Sequence, residues 1–357
     1  MNGLEGVVAA ETVLSEVDGE AGRLTLRGYL LDDLAGWRAE DAFHLLMAGF
    51  VPDLPPAGEF AGALGAARAR VFARLAAAPD LPADPVQAMR ALTATLEDGE
   101  GADVALALLA APAVFAPAVL RRRAGLAPVA PDPGLAHAAD VLRMLTGTRA
   151  PDATAAALDT YLVAVVDHGL NASTFAARVV ASTRAGLTSA VLAGLGALKG
   201  PLHGGAPGPV IAMLDAIGTP ERAPAWIEET LAAGKRLMGF GHRVYRVRDP
   251  RADALKAALR RLPGAGDRQR LVLAEAVEVA ALAALKRHKP GRKIETNVEF
   301  YTALLLEALD FPPDAFTCVF AMGRTAGWIA HAGEQIASGR LIRPLSVYVG
   351  PRPEEAA

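Results

Sequence analysis

The chain has 357 residues, of which 52% are apolar, 21% charged and 5% aromatic, with a net charge of −3. That balance excludes bulk disorder, and 35 glycines without a triplet period exclude a collagen-like fibre. At roughly 150 residues per domain the length allows about two domains, and the lack of an overall positive field argues against nucleic acid or an anionic membrane as partner.

Residues 1–10 hold Glu5 and no basic residue before an apolar stretch, so no secretory signal is visible. Strand-like runs are confined to the region around Arg23–Leu30 and to Ser346–Val349 near the end. Between them the spacing is helical. Alanine-rich stretches with Leu and Arg recur at Gly58–Ala78, Pro85–Leu96, Leu135–Leu145, Arg178–Leu198, Asp267–Arg287 and Ala303–Leu309, separated by Gly and Pro. The clearest period lies in Asp152–His168, where Leu158, Tyr161, Leu162, Val165 and Val166 fall on one stripe. Segments Val51–Ala57, Pro79–Pro85 and Ala127–Pro133 read as surface loops. Val104–Leu120 is uncharged and is followed by three arginines, but it contains Pro112 and Pro117. At the short end of the roughly 17–25 residues that span a bilayer, it is predicted to be a buried helix pair. With no alternating βαβ series, the predicted class is all-α.

The one cysteine, Cys318, excludes an internal disulfide and a multi-cysteine metal site, and fits a cytoplasmic setting. Three of the seven histidines stand beside glycines: His168 in DHGLNAST, His203 in GPLHGGA and His242 in MGFGHRVY. Glycine lets a turn approach a ligand closely and sets an imidazole at the end of an element. No HExxH or similar spacing supports a metal site, and neither GLGALKG (Gly194–Gly200) nor GFG (Gly239–Gly241) completes a dinucleotide fingerprint. In KIETNVEFY (Lys293–Tyr301), Asn297 or Thr296 is placed to cap a helix with Glu299 in its first turn. Arg251, Arg324 and Arg343 suit a substrate with more than one carboxylate, because guanidinium forks bind carboxylates bidentately. His331, Trp328 and Cys318 fall in apolar helical stretches and are expected to be packed side chains. His44, His137 and His288 have no recognisable context.

Taken together, GPLHGGA, GFGHRVY and NVEFY, with GLEGVVAAETVLSEVDGEAGRLTLRGY at the start and FTCVFAMGRTAGWIAHAGEQ and IRP at the end, resemble the citrate synthase family in its shorter bacterial and archaeal form. The resemblance implies a two-domain, nearly all-α fold. Residues 1–205 and 310–357 would form a large helical domain, and residues 206–309 a small one that closes on substrate. It implies condensation of acetyl-CoA with oxaloacetate and hydrolysis of citryl-CoA, with no metal or redox cofactor. By motif match, Glu299 takes the base position, His203 donates to the thioester oxygen, and His242 polarises the oxaloacetate ketone and protonates the new alkoxide. His168, His242, Arg251, Arg324 and Arg343 would hold oxaloacetate, with Arg343 contributed across a homodimer interface. Leu237, Met238, Gly239, Phe240 and Gly241 would bind CoA, with Arg246 and Lys293 as candidates for its phosphates.

Where the family's usual motif has aspartate, this chain has Glu299, which moves the carboxylate by roughly 1 Å, enough to cost on the order of a hundredfold in rate unless the helix sits back or the side chain folds. Gly169 and Pro207 also depart from common family residues. The resemblance begins at Gly3, so NADH regulation through an added N-terminal domain is not expected. The rival readings are a 2-methylcitrate synthase using propionyl-CoA, a catalytically weak binding protein, and an enzyme keeping only the hydrolytic half. One methylene discriminates by only about 1–3 kcal/mol, so the sequence leaves the acyl preference open.

Overall fold

The periodic stretches fold into fourteen α-helices and one small sheet in a computed structural model describing residues 3–4, 6–77, 80–204, 208–242, 244–245 and 247–351. Strands β1 (Ser15–Asp18), β2 (Arg23–Leu26) and β3 (Tyr29–Leu30) form an antiparallel meander, with Ser15 opposite Leu26 and Thr25 opposite Leu30. Helices α1 (Ala39–Met47), α2 (Ala57–Phe72), α3 (Pro85–Thr93), α4 (Ala102–Arg123) and α5 (His137–Thr146) follow. Next come α6 (Asp152–Val165), α7 (Ala172–Ala181), α8 (Leu187–Leu198), α9 (Gly208–Ile217) and α10 (Ala223–Ala232). The last four are α11 (Pro250–Arg261), α12 (Ala265–His288), α13 (Val298–Ala308) and α14 (Phe316–Ser338). The domain boundary expected at Gly205 and Ala206 lies outside the described residues.

Three sequence expectations change in detail. Segment 104–120 is one continuous helix, α4, that runs through Pro112 and Pro117. Its most apolar 18-residue window is 83% buried by the helices around it, and it is the one described helix long and apolar enough to cross a membrane. The stretch 178–198 is two helices, α7 and α8, because the chain reverses after Ala181, where Arg184 takes a φ of +65°. Ser346–Val349 is extended but joins no sheet among the described residues.

Helix α14 lies at the centre, packed on α1, α4, α6, α7 and α8. Its buried run includes Phe316, Val319, Met322, Trp328 and Ile329, each worth about 1.5–3 kcal/mol when fully removed from water. Helix α11 packs between α6 and α13, so the start of each of these helices, or its end in the case of α6, converges on one region. Three helix starts there are fixed by side-chain caps. Asn171 accepts the N–H groups of Ser173 and Thr174, Asp249 that of Arg251, and Asn297 that of Glu299. A cap fixes where a helix begins, and hence where its first-turn side chains stand.

Candidate active site

The GFGH turn is built by a short antiparallel bridge. Gly241 N donates to Glu295 O at 2.8 Å, Asn297 N donates to Gly239 O at 3.0 Å, and Asn297 Nδ2 closes the turn on Gly241 O at 2.7 Å. Gly239 has a φ of +84°, and a Cβ there would stand 2.8 Å from Phe300 Cβ, so only glycine lets the turn lie this close to α13. The bridge thus locks His242, just after the turn, to Glu299, just after the Asn297 cap.

His242 Nδ1 accepts the backbone N–H groups of Val244 and Tyr245, both at 3.0 Å. In the neutral ring the proton therefore sits on Nε2, beside Arg251 Nη2 at 3.5 Å, and can be offered to an acceptor between them. His168 stacks edge-on against His242, with centroids 5.7 Å apart, and its Nε2 lies 3.3 Å from the Tyr245 hydroxyl. Burial, then the charge of Arg251, pushes His242 down to about 4. Burial and the charges of Arg251 and Arg324 hold His168 well below the usual imidazole range. Both rings are neutral at pH 7.

Arg251 is 4% exposed and forks onto Asp249, Nε to Oδ1 at 3.0 Å and Nη2 to Oδ2 at 2.8 Å. Burial alone would raise the Asp249 carboxyl, but the Arg251 charge and its hydrogen bonds outweigh it and hold the carboxyl below the ordinary range. Arg324 is different. It is 1% exposed, its Nε donates to Val165 O at 2.7 Å, and its terminal nitrogens have no hydrogen-bond partner among the described residues. Burial pushes it down to about 10, and neighbouring Arg251 adds to the shift. A buried guanidinium whose terminal nitrogens make no hydrogen bond is costly unless a ligand carboxylate meets it.

His203 Nε2 lies 2.8 Å from Ser173 Oγ, which accepts Trp328 Nε1–H at 3.1 Å. The single hydroxyl proton of Ser173 can go to His203 Nε2 or to Asn171 Oδ1 at 2.8 Å, and that oxygen already accepts two cap N–H groups. Given to His203, it leaves the ring as the Nδ1–H tautomer, a donor on its far side. Burial, then Arg324, lowers His203 to about 4. Glu299 is half-buried on the first turn of α13. Burial raises its carboxyl to about 7, against the opposing attraction of Arg251 and Arg324.

The structure thus brings together His168, His203, His242, Arg251, Arg324 and Glu299. Arg343 stands apart, exposed on the extended tail after α14. Of the segment 237–241, Leu237 is buried and Met238 half-buried, and neither makes a backbone hydrogen bond among the described residues. Lys293 is exposed, and Arg246 lies outside the described residues. Sequence reasoning missed Tyr245, Ser173 and Asp249. It also missed a buried chain behind His168, in which Asp167 accepts from Ser15 and His331, and His331 Nδ1 pairs with Arg178 Nη1 at 2.9 Å. Trp328 and His331 are packed, as expected, but both are also tied into these polar links. Only Asp249-Pro250, an N-cap followed by proline, carried a readable local signal.

The citrate synthase, C-terminal domain family matches residues 3–345. The chain is 41% identical over 359 residues to putative citrate synthase 2 of Mycobacterium tuberculosis, covering 98% of this chain and 93% of that one. It is 36% identical to the 2-methylcitrate synthase of the same organism, covering 98% and 90%. Among solved structures, it resembles the ternary complex of carboxymethyl coenzyme A and oxaloacetate with the citrate synthase of Thermoplasma acidophilum, at a TM-score of 0.85 and 30% identity, with 97% and 95% covered. A helical fold with this constellation, matched along nearly its whole length, places the chain in the citrate synthase family of condensing acyltransferases.

Proposed function

We propose that the protein condenses acetyl-CoA with oxaloacetate and hydrolyses the resulting citryl-CoA. The observation that carries this reading is the juxtaposition of Glu299, raised to about 7, with neutral imidazoles and the fork of Arg324, which is unpaired among the described residues. An acetyl methyl proton is too weakly acidic for a carboxylate alone, so the enolate oxygen needs a donor as the proton leaves. Glu299 takes the proton and His203 Nδ1–H donates to the thioester oxygen. The enol carbon then attacks the ketone of oxaloacetate, whose oxygen accepts from His242 Nε2–H. As the alkoxide forms it takes that proton, and the charge left on the ring is met by two backbone N–H groups on Nδ1 and by Arg251. His168, Arg251 and Arg324 hold the carboxylates. Water then cleaves the thioester and releases CoA. These steps draw on the chain's own side chains and backbone N–H groups and on water, with acetyl-CoA as substrate and no cofactor.

Leu237 and Met238 offer free backbone groups to the CoA moiety, and Lys293 offers a charge for its phosphates. The tail exposes Leu345, Val347, Tyr348 and Val349 at 71–99%, apolar surface that a second copy of the chain would cover while placing Arg343 in its partner's site. Free-thiol release from acetyl-CoA and from propionyl-CoA, each with and without oxaloacetate, tests the reading. Faster oxaloacetate-dependent release from acetyl-CoA is expected. Faster release from propionyl-CoA would move the reaction to 2-methylcitrate synthesis, release without oxaloacetate to hydrolysis, and none from either substrate to a binding role.

A further inference from the structure

We propose that Glu278, on the long helix α12 and outside the cleft chemistry, is the positioning residue that sets the reach of Glu299. Its carboxylate is 5% exposed and receives four donors from four segments. Oε1 accepts Thr296 Oγ1 at 2.7 Å and Arg248 Nη1 at 2.8 Å, while Oε2 accepts Tyr301 Oη at 2.5 Å and Lys256 Nζ at 2.9 Å. Each donor lies within five residues of Arg251 or Glu299. Thr296 precedes the Asn297 cap and pairs with Phe240 of the GFGH turn. Arg248 precedes Asp249, which holds Arg251, and Lys256 lies further along α11, about 1.4 turns beyond Arg251. Tyr301 is two residues beyond Glu299 on α13, a spacing that puts the two side chains on different faces of the helix. Glu278 therefore grips α13 from behind the catalytic carboxylate, and the same grip fixes the start of α11, which carries Arg251, and the turn before His242.

A glutamate base reaches roughly 1 Å further than an aspartate, so a helix free to slide would blur the distance that the reaction depends on. Four bonds to one carboxylate remove that freedom. The inference rests on Glu299 being the base, and the test keeps the two ideas separable. Glu278→Gln retains size but turns one acceptor arm into a donor facing Lys256 and Tyr301. In the full-length protein its kcat should fall about tenfold to a hundredfold with acyl-CoA KM changed by less than about threefold, since a misplacement near 1 Å acts on the chemical step. The midpoint of Glu299 titration, followed by NMR of carboxyl-labelled protein, should move as well, whether or not the wild type turns over. Tyr301→Phe and Thr296→Val, each removing one bond, should give smaller losses in the same direction if Glu278→Gln does not fold. A lowered Tm with normal kcat per active site and an unmoved Glu299 midpoint would reduce Glu278 to a stability role and overturn the proposal. Absence of oxaloacetate-dependent turnover in the wild type would instead sink the proposed reaction, leaving the titration to decide the anchor.

Discussion

Lowering the pH should switch the protein off through one carboxyl. Glu299 rises from 4.5 to about 7 because burial penalises its charged form more than Arg251 and Arg324 favour it. Only the carboxylate can accept the methyl proton, so kcat/KM should be half-maximal near pH 7 and about a tenth of its plateau at pH 6, whereas an ordinary glutamate would still be almost fully ionised there. The imidazoles do not obscure this limb, since His203 and His242 titrate at about 4. The same shift has a stability consequence with a definite sign. A raised carboxyl means that the folded chain holds the proton more tightly than the unfolded one. That contribution is fully present below pH 4.5 and is lost as the pH rises through about 7. The difference between 4.5 and about 7 amounts to about 3 kcal/mol at 1.36 kcal/mol per pH unit. Glu299→Gln, which cannot ionise, should therefore melt several degrees above the wild type at pH 8 and level with it at pH 4, while losing turnover. Thiol-release assays from pH 5 to 9 and melting curves of both proteins check this. A midpoint below about 5.5, or a Gln variant no more stable than the wild type at pH 8, would refute the reasoning.

Arg324→Met removes a buried cation whose terminal nitrogens have no hydrogen-bond partner among the described residues, so Tm should hold or rise while KM for oxaloacetate increases at least about thirtyfold, by steady-state kinetics. Ser173→Ala takes away the hydroxyl that can hold His203 as the Nδ1–H tautomer, and kcat should fall about tenfold or more with KM for acetyl-CoA little changed. Gly239→Ala places a methyl against Phe300 at a positive φ, which should cost about 2–4 kcal/mol, read as a lower urea midpoint. Mixed dimers reassembled from Arg343→Ala and His242→Ala chains should recover about a quarter of wild-type activity, because one site of each heterodimer regains both residues. No recovery would place Arg343 outside the partner's site.

The helices were legible wherever one stripe of apolar residues meets the core, as at Tyr161, Leu162 and Val165 in α6. Boundaries were not legible where alanine blurs the period, which is why α7 and α8 read as one element, or where prolines sit inside a helix, which is why α4 read as two. Of the site, the residues beside glycines or in motifs could be named because their backbone requirement shows locally. Ser173, Asp249 and the chain from Asp167 through His331 to Arg178 act through partners that are distant in sequence or hidden inside apolar helices, where hydrogen-bonding need leaves no periodic trace. The Ser173 link to His203 spans 30 positions and the His331 link to Asp167 spans 164.

The N-terminal meander touches both walls of the cleft. Ser15 on β1 donates to Asp167 and accepts Gly169 N–H at 2.9 Å, on either side of His168. At the β1–β2 turn, a side chain on Gly19 would overlap the carbonyl of Val244, two residues past His242. One four-residue strand thus works as a gauge between the two histidines that would flank the substrate, its length setting their spacing. An insertion in the turn or removal of the first eighteen residues would then be felt as lost substrate affinity rather than as a trimmed end.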